Sequence, residues 1–532
     1  MEAEKLLKRF DRLKADRSTY DNHCQEVAQR VWPDRASFLS ELTPGAKRTQ
    51  HMFDSTAPLA LTRFAAAMES MLTPRTTRWH GLRHPDRALN NDQSVKRYMA
   101  ELVEILFAVR YSSGANFASQ MHEAYMSLGA FGCGGVFIED MIGTGLRYKS
   151  IDISNTFFAE NRYGVVDTMF REFKYTAAQA IQHFDALPEK ITKAKPDDQF
   201  TFVHAVYPSE RPGLWAWDSC YIAVEGKQIV ETGGYGTFPA AVGRYITTPG
   251  EPYGRSPAML VLPDIKTLNE MEKTMLRAAH LAVQPPLLLQ EDGALQAFSV
   301  VPGALNYGGV DDRGNQLVHP LKMDARFDIG EDRIERKRKV INDAFMVTLF
   351  QILVETPAMT ATEAMLRAQE KGALLAPTMG RQQSEMLGPL IERELDLLAR
   401  AGQLPQPPDI LVEAGMDYEV EYTSPLTRAQ RAEDGVAIMR TFEALAPMAQ
   451  LDPNVMMTFD PVKAARELAE INGVPPRIMR TEDEIAAMKA KQAQEAQMAQ
   501  VLQAAPIAAD TAKTLLETQA LASQGQPAIT TR

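Results

Sequence analysis

Cysteine is scarce. The 532 residues hold only three, Cys24, Cys133 and Cys220, far apart and in no paired spacing, which excludes a disulfide framework or a zinc knuckle and suits a reducing compartment. No apolar run reaches the roughly 18 residues that a membrane span requires, and the opening "MEAEKLLKRFDRLKADR" reads as a charged helix, not a signal peptide. Motifs that carry chemistry are missing too: there is no GxxxxGK[ST] phosphate loop, no GxSxG elbow and no HExxH zinc helix. Nor is there an excess of positive charge. The formal net charge is −11, against a protein that grips nucleic acid over its whole surface, although local basic stripes remain open.

The near misses read as structure. "GAFGCGGVF" follows a helix instead of preceding one and lacks GxGxxG spacing, so a turn into a strand is expected. His80 and His84 in "HGLRH" have no accompanying glutamate, and a proline follows at once, which argues against a metal site. Cys133 has no base that its neighbourhood nominates, and "DDRGNQ" lacks the later ligands of a calcium loop. No catalytic residue, cofactor or metal is assigned.

What is present is a folded chain long enough for two to four domains. Residues 1 to about 130 carry the 3.6-residue periodicity of helices, including one helix through "EKLLKRFDRLKADRSTYDNHCQEVAQRVWP". From Val136 to about Thr247 short β-rich segments take over, separated by Gly, Pro and Asp turns, with one short helix at "TAAQAIQHF". The pattern predicts an α+β fold that is mainly helical. A long helix over Ser256–Val283 follows, with Leu268, Met271, Met275 and Ala278 in a narrow coiled-coil-like row and Lys266, Glu270, Lys273 and Arg277 roughly opposite. Glycine- and proline-punctuated chain with a hairpin turn at Asp292-Gly293 comes next, then a charged helix over Glu331–Gln351. Thr360 and Glu363 form a capping box that opens a helix running toward Pro405. Its second half is amphipathic through Leu387, Ile391, Leu395 and Leu398, and Pro377 and Pro389 should bend it. The last residues, low in large apolar side chains, read as frayed.

Several segments together resemble the head-to-tail connector, or portal, proteins of short-tailed phages. They are "RVWPDR" (Arg30 to Arg35), "FDSTAPLALTRFAAAMESMLTPRTTRW" (Phe53 to Trp79), "FASQMHEAYMSLGAFGCGGVFIE" (Phe117 to Glu139), the helix from Thr360 to Pro405, and "YTSPLTRAQR" (Tyr422 to Arg431). Their order and spacing span some 400 residues.

The resemblance implies an elongated subunit of a ring, usually dodecameric, at one vertex of the virion capsid and assembled in the host cytoplasm. Double-stranded DNA would pass through it without sequence specificity, and terminase, tail adaptors and scaffolding or capsid proteins would dock on it; no membrane is involved. It assigns residues 1–255 to a wing, β-rich over 136–247, then 256–283 and 329–352 to two stem helices and 284–328 to a clip between them. Residues 353–362 become a tunnel loop, 363–425 a kinked spine helix returning to the wing, 426–505 a crown of helices and 506–532 a flexible tail. By the same resemblance, Glu355, Thr356, Pro357, Ala358, Met359 and Thr360 would line the narrowest point of the channel. Lys266, Lys273, Arg277, Arg336, Lys337 and Lys339 would be the stem's candidate DNA contacts, and Leu268, Met271, Met275 and Ala278 the seam between neighbouring subunits. The rival readings are another oligomeric virion protein, minor capsid or internal core, and a DNA-processing enzyme.

Overall fold

The structure, a computed structural model, describes residues 2–347 and 376–422 apart from short gaps, of which 290–298 is the longest, together with parts of 434–494. Two compact units divide the chain. Met1–Gly81, Val103–Leu404 and Val420–Gln430 form the first; Leu82–Leu102, Pro405–Glu419 and Arg431–Arg532 form the second.

The first unit opens with α1 (Glu2–Asp16) and α2 (Ser18–Val31), where the periodicity predicts one helix. Arg17 explains the break. It is 2 % exposed, and its guanidinium donates to the carbonyls of Ile153, Ser154 and Thr156 at 2.6–2.7 Å. A side chain turned inward at the junction thereby satisfies three backbone acceptors of a distant turn. Helix α3 (Thr56–Leu72), strand β1 (His80–Arg83), α4 (Gln93–Arg110) and α5 (Phe117–Phe131) follow.

Two antiparallel sheets come next. Strands β2 (Cys133–Met141) and β3 (Gly145–Ser150) belong to the smaller one. The larger runs in the order β4 (Thr156–Glu160), β5 (Val166–Thr176), β6 (Gln199–Pro208), β7 (Trp217–Ala223) and β8 (Gln228–Tyr235). Alternation along β6 divides its side chains between two cores. Val203 and Ala205 pack under Ala3, Leu6 and Phe10 of α1. Phe200 and Phe202 face α6 (Ala177–His183) and Ile191 of the short α7 (Glu189–Thr192). Helix α6 starts at a capping box, Thr176 and Gln179 each accepting from the other's backbone N–H. Strand β9 (Ala240–Arg244) completes the small sheet beside β2. As expected, "GAFGCGGVF" is a turn into a strand: Gly132, at φ +78°, caps α5. A Cβ on Gly134 would fall 2.0 Å from the Ala124 carbonyl, so that glycine lets the strand press on the helix and leaves no room for a phosphate.

The helix expected over Ser256–Val283 is two helices. Ser256 caps α8 (Pro257–Leu260), accepting from the Met259 N–H at 2.9 Å, and α9 (Leu262–Val283) restarts after Val261. Pro263, which tolerates only the first turn of a helix, fixes that restart. Strands β10 (Leu287–Leu289) and β11 (Val318–Pro320) pair antiparallel, and α10 (Phe327–Ala344) returns against α9. Helix α10 stops short of the expected Gln351, with Met346 at φ +57°. The proposed hairpin turn at Asp292-Gly293 and the capping box at Thr360 lie outside the described residues.

From 376 the chain is helical to Arg400, and Gly402 at φ +65° ends it. Leu387, Ile391, Leu395 and Leu398 are all buried. At Pro389 the bend is met by a π-turn over Gln383–Leu387, and Gly388–Arg400 continues as α-helix. In the second unit, Val95, Tyr98, Met99 and Leu102 of α4 are buried, as is Leu411 of the short Asp409–Ala414 helix, and Arg83 pairs with Glu419 at 3.0 Å.

Candidate functional site: the α9–α10 helix pair

Among α9 residues, those that the chain buries stop at Asn269: Leu262, Ile265, Leu268 and Asn269 are buried, whereas Leu276 and Val283 are 55 % and 80 % exposed. The first third of the helix is therefore fastened and the rest stands clear. Asn269 holds the fastening, its Oδ1 accepting from the Phe53 and Asp54 backbone N–H groups at 2.9 and 3.1 Å. The Asp54 carboxylate accepts from the Thr56 N–H at the start of α3 and receives the Arg338 guanidinium of α10 at 2.9 Å. Arg338 also reaches Glu272 of α9 at 2.6 Å. Asp54 and Arg338 together tie the three helices.

The apolar row on α9 is divided by this arrangement. Leu268 is 2 % exposed within its own chain and does not stand free as a seam residue, whereas Met275, which covers Gly330 of α10, is half-buried. Met271 and Ala278 remain half-buried. An open groove of about 570 Å³ runs along the helix, lined by Lys266, Thr267, Glu270, Met271, Thr274, Met275 and Gly330.

The six basic residues separate in the same way. Lys266 pairs with Glu26 and Lys337 with Asp264. Lys273 lies 3.3 Å from Glu270 with its ammonium over the Phe53 ring, and Arg336 meets Asp332 at 2.8 Å. Arg277 and Lys339 are exposed and have no ion-pair partner among the described residues. The sequence alone could not make this division in full: Lys273 and Arg336 meet helix neighbours three and four residues away, but Glu26 and Asp264 reach Lys266 and Lys337 only through the fold. Glu355, Thr356, Pro357, Ala358, Met359 and Thr360 lie outside the described residues.

The suspected chemistry resolves into packing. His80, buried, has Nε2 2.5 Å from the Arg110 guanidinium; burial first, then that cation, holds its pKa well below 6.5. His84 Nδ1 accepts from the Asp86 N–H at 3.0 Å. Burial pushes the Cys133 thiol up to about 11, which keeps it protonated and unreactive. No group of three metal-ligating side chains occurs among the described residues. Sequence reasoning missed the buried pair of Arg110 and Glu394, both 0 % exposed at the side chain, with Tyr148 donating to Glu394 at 2.5 Å. The "ERELDLLAR" stretch gave no sign of which of its charges would turn inward.

What the described residues offer for interaction is the part of α9 beyond Asn269, with a groove on one side, and the exposed charges of Arg277 and Lys339. The chain belongs to the family described as Bacteriophage head to tail connecting protein, whose profile matches residues 3–479. A probable portal protein of Bordetella phage BPP-1 is 28% identical over 92% of this chain and 91% of its own length. The portal protein of Salmonella phage epsilon15 is 27% identical over 97% and 96%, and that of Escherichia phage T7 is 23% identical over 91% and 89%.

Proposed function

We propose that the chain is the portal subunit of a tailed phage, a structural component without catalysis of its own. Copies close a ring, of twelve in the usual stoichiometry, at one capsid vertex. Double-stranded DNA enters and later leaves through its opening without sequence-specific contacts. Terminase, tail adaptors and scaffolding or capsid proteins dock around it. The observation that carries this reading is the family match over residues 3–479, to which portal proteins align along almost their whole lengths.

The division into wing, two stem helices, clip, tunnel loop (353–362), spine and crown is part of the proposal, with α9 and α10 as the stem. The subunit seam shifts from Leu268 to the open side of α9, where Met271, Thr274 and Met275 border the groove and Ala278 is half-buried, because an apolar side chain already buried in its own chain has nothing left to gain from a neighbour. Of the six stem cations, Arg277 and Lys339 are the two proposed to meet DNA. An otherwise acidic protein suits a conduit, since each phosphate bound releases counterions and each such contact would retard sliding.

Native mass measurement with negative-stain images of the purified chain tests the proposal. A ring with a central opening is expected. A single unit at every concentration, or metal-dependent DNA cleavage abolished by chelation, would overturn it.

A further inference from the structure

We propose that a ridge of interleaved acidic and apolar side chains over 409–417 docks on Arg87 and Arg97 of a neighbouring copy of this chain. Between Arg400 and Arg428 the sequence has no lysine or arginine and carries five carboxylates, Asp409, Glu413, Asp417, Glu419 and Glu421. Glu419 is taken by Arg83. Asp409, Glu413 and Asp417 are exposed and have no ion-pair partner among the described residues. Ile410, Val412 and Met416, set between them, are between 43 % and 60 % exposed. Within 409–417 only Leu411 is buried.

Nothing local accounts for this composition. Glu413 lies one turn beyond Asp409 on the Asp409–Ala414 helix, where like charges repel. It also sits in the last turn, where the helix dipole disfavours an anion. Three apolar side chains left in water beside it gain nothing for the fold. A partner that brings cations and covers apolar surface removes both costs together, which is the chemistry of a docking surface.

The counterpart stands in the same compact unit. Arg87 and Arg97 flank the start of α4, both exposed and neither with an ion-pair partner among the described residues. The acids beside them are already engaged: Asp86 accepts from the Ala88 N–H at 2.9 Å, and Asp92 from the Ser94 N–H at 2.8 Å. Opposite charges are thus left over on two surfaces of one chain. The inference rests on the portal reading, because a closed ring is built from a contact in which one surface of each copy meets a different surface of the next. Rotation about the ring axis brings together surfaces at one height, so a single compact unit can supply both.

Charge reversal on the full chain tests the contact. Glu413→Arg with Asp417→Arg turns the ridge net positive, and Arg87→Glu with Arg97→Glu turns its counterpart negative. All four positions are exposed, so each variant should keep the wild-type melting curve. Alone, each should lose ring yield about tenfold, counted by native mass measurement and negative-stain images, since like charges then meet across the contact. Mixed in equal amounts, the two should recover rings at near wild-type yield with the copies alternating, because every contact again joins opposite charges. Failure to recover on mixing overturns the proposal. Unimpaired assembly of both variants also overturns it, leaving the ridge to a basic protein of another kind and the portal reading intact. Should a double variant fail to fold, Glu413→Arg and Arg97→Glu as single variants are mixed in its place and decide by the same yields. Wild-type protein without rings removes the portal reading, and this contact with it.

Discussion

Met275 lies across Gly330, with its sulfur only 2.6 Å from where a Cβ on that glycine would begin. On the proposed ring, a neighbouring copy would then meet α9 along the open side of the groove, where Met271 lies. Met271→Asp should leave the thermal melt within a few degrees of wild type and lower ring yield severely. Leu268→Asp, by burying an unpaired carboxylate, should cost several kcal/mol and unfold the chain before assembly can be judged. Melting curves and particle counts on the two variants check this. A Met271→Asp protein that assembles at wild-type yield would place the seam elsewhere.

The cations of α9 and α10 should not be interchangeable. Removing Arg277 and Lys339 together, as glutamines, should weaken retention of duplex DNA by the assembled protein and flatten its salt dependence, since fewer counterions are released per subunit. Removing Lys266 and Arg336, whose charges Glu26 and Asp332 already offset, should do much less. Binding isotherms over a salt series distinguish the pairs, and equal effects would refute the division.

Glu394→Gln should be among the most damaging single substitutions, because it strands the Arg110 guanidinium, closely surrounded by Trp79 and Phe107, without a counter-charge. A loss of about 3–5 kcal/mol is expected for a broken buried pair. Replacing both partners with apolar residues, Arg110→Met with Glu394→Leu, should recover much of it. Denaturant midpoints of the single and double variants measure the difference.

Acid should destabilise the protein partly through His204. It is 0 % exposed, stacked at 4.1 Å on Tyr221 and 2.9 Å from the Ser219 hydroxyl. Burial first, and then the Arg171 charge, hold its pKa well below the ordinary 6.5. The unfolded chain therefore takes up a proton that the folded chain refuses, so this contribution is complete above 6.5 and is lost as the pH falls below it. His204→Gln should flatten the decline of the urea midpoint between about pH 7.5 and about pH 5.5. An unchanged slope would assign the acid sensitivity to other groups.

Periodicity served best where one face meets one core. The run Leu387, Ile391, Leu395, Leu398 is buried as its spacing requires, and "FTFVHAVYP" is a strand whose odd and even positions feed different cores. Breaks were harder to read. The split at Arg17 depends on carbonyls more than 130 residues away in the sequence, and the one at Val261 turns on a single proline inside an otherwise helical stretch. The charges of α9 and α10 were legible as charges, but the pairs of Lys266 and Lys337 were not, because Glu26 and Asp264 reach them only through tertiary packing. Strand β4 escaped notice because "TFFAE" is too short to show alternation.

All three thiols are buried in the native chain, and burial pushes those of Cys24 and Cys133 upward, toward the protonated form. The folded molecule should therefore ignore maleimides, leaving a silent background for fluorophores. A cysteine introduced at an exposed position such as Val340 or Leu276 would be the one to take the dye, with the native cysteines left in place, and distances within an assembly could then be followed one particle at a time.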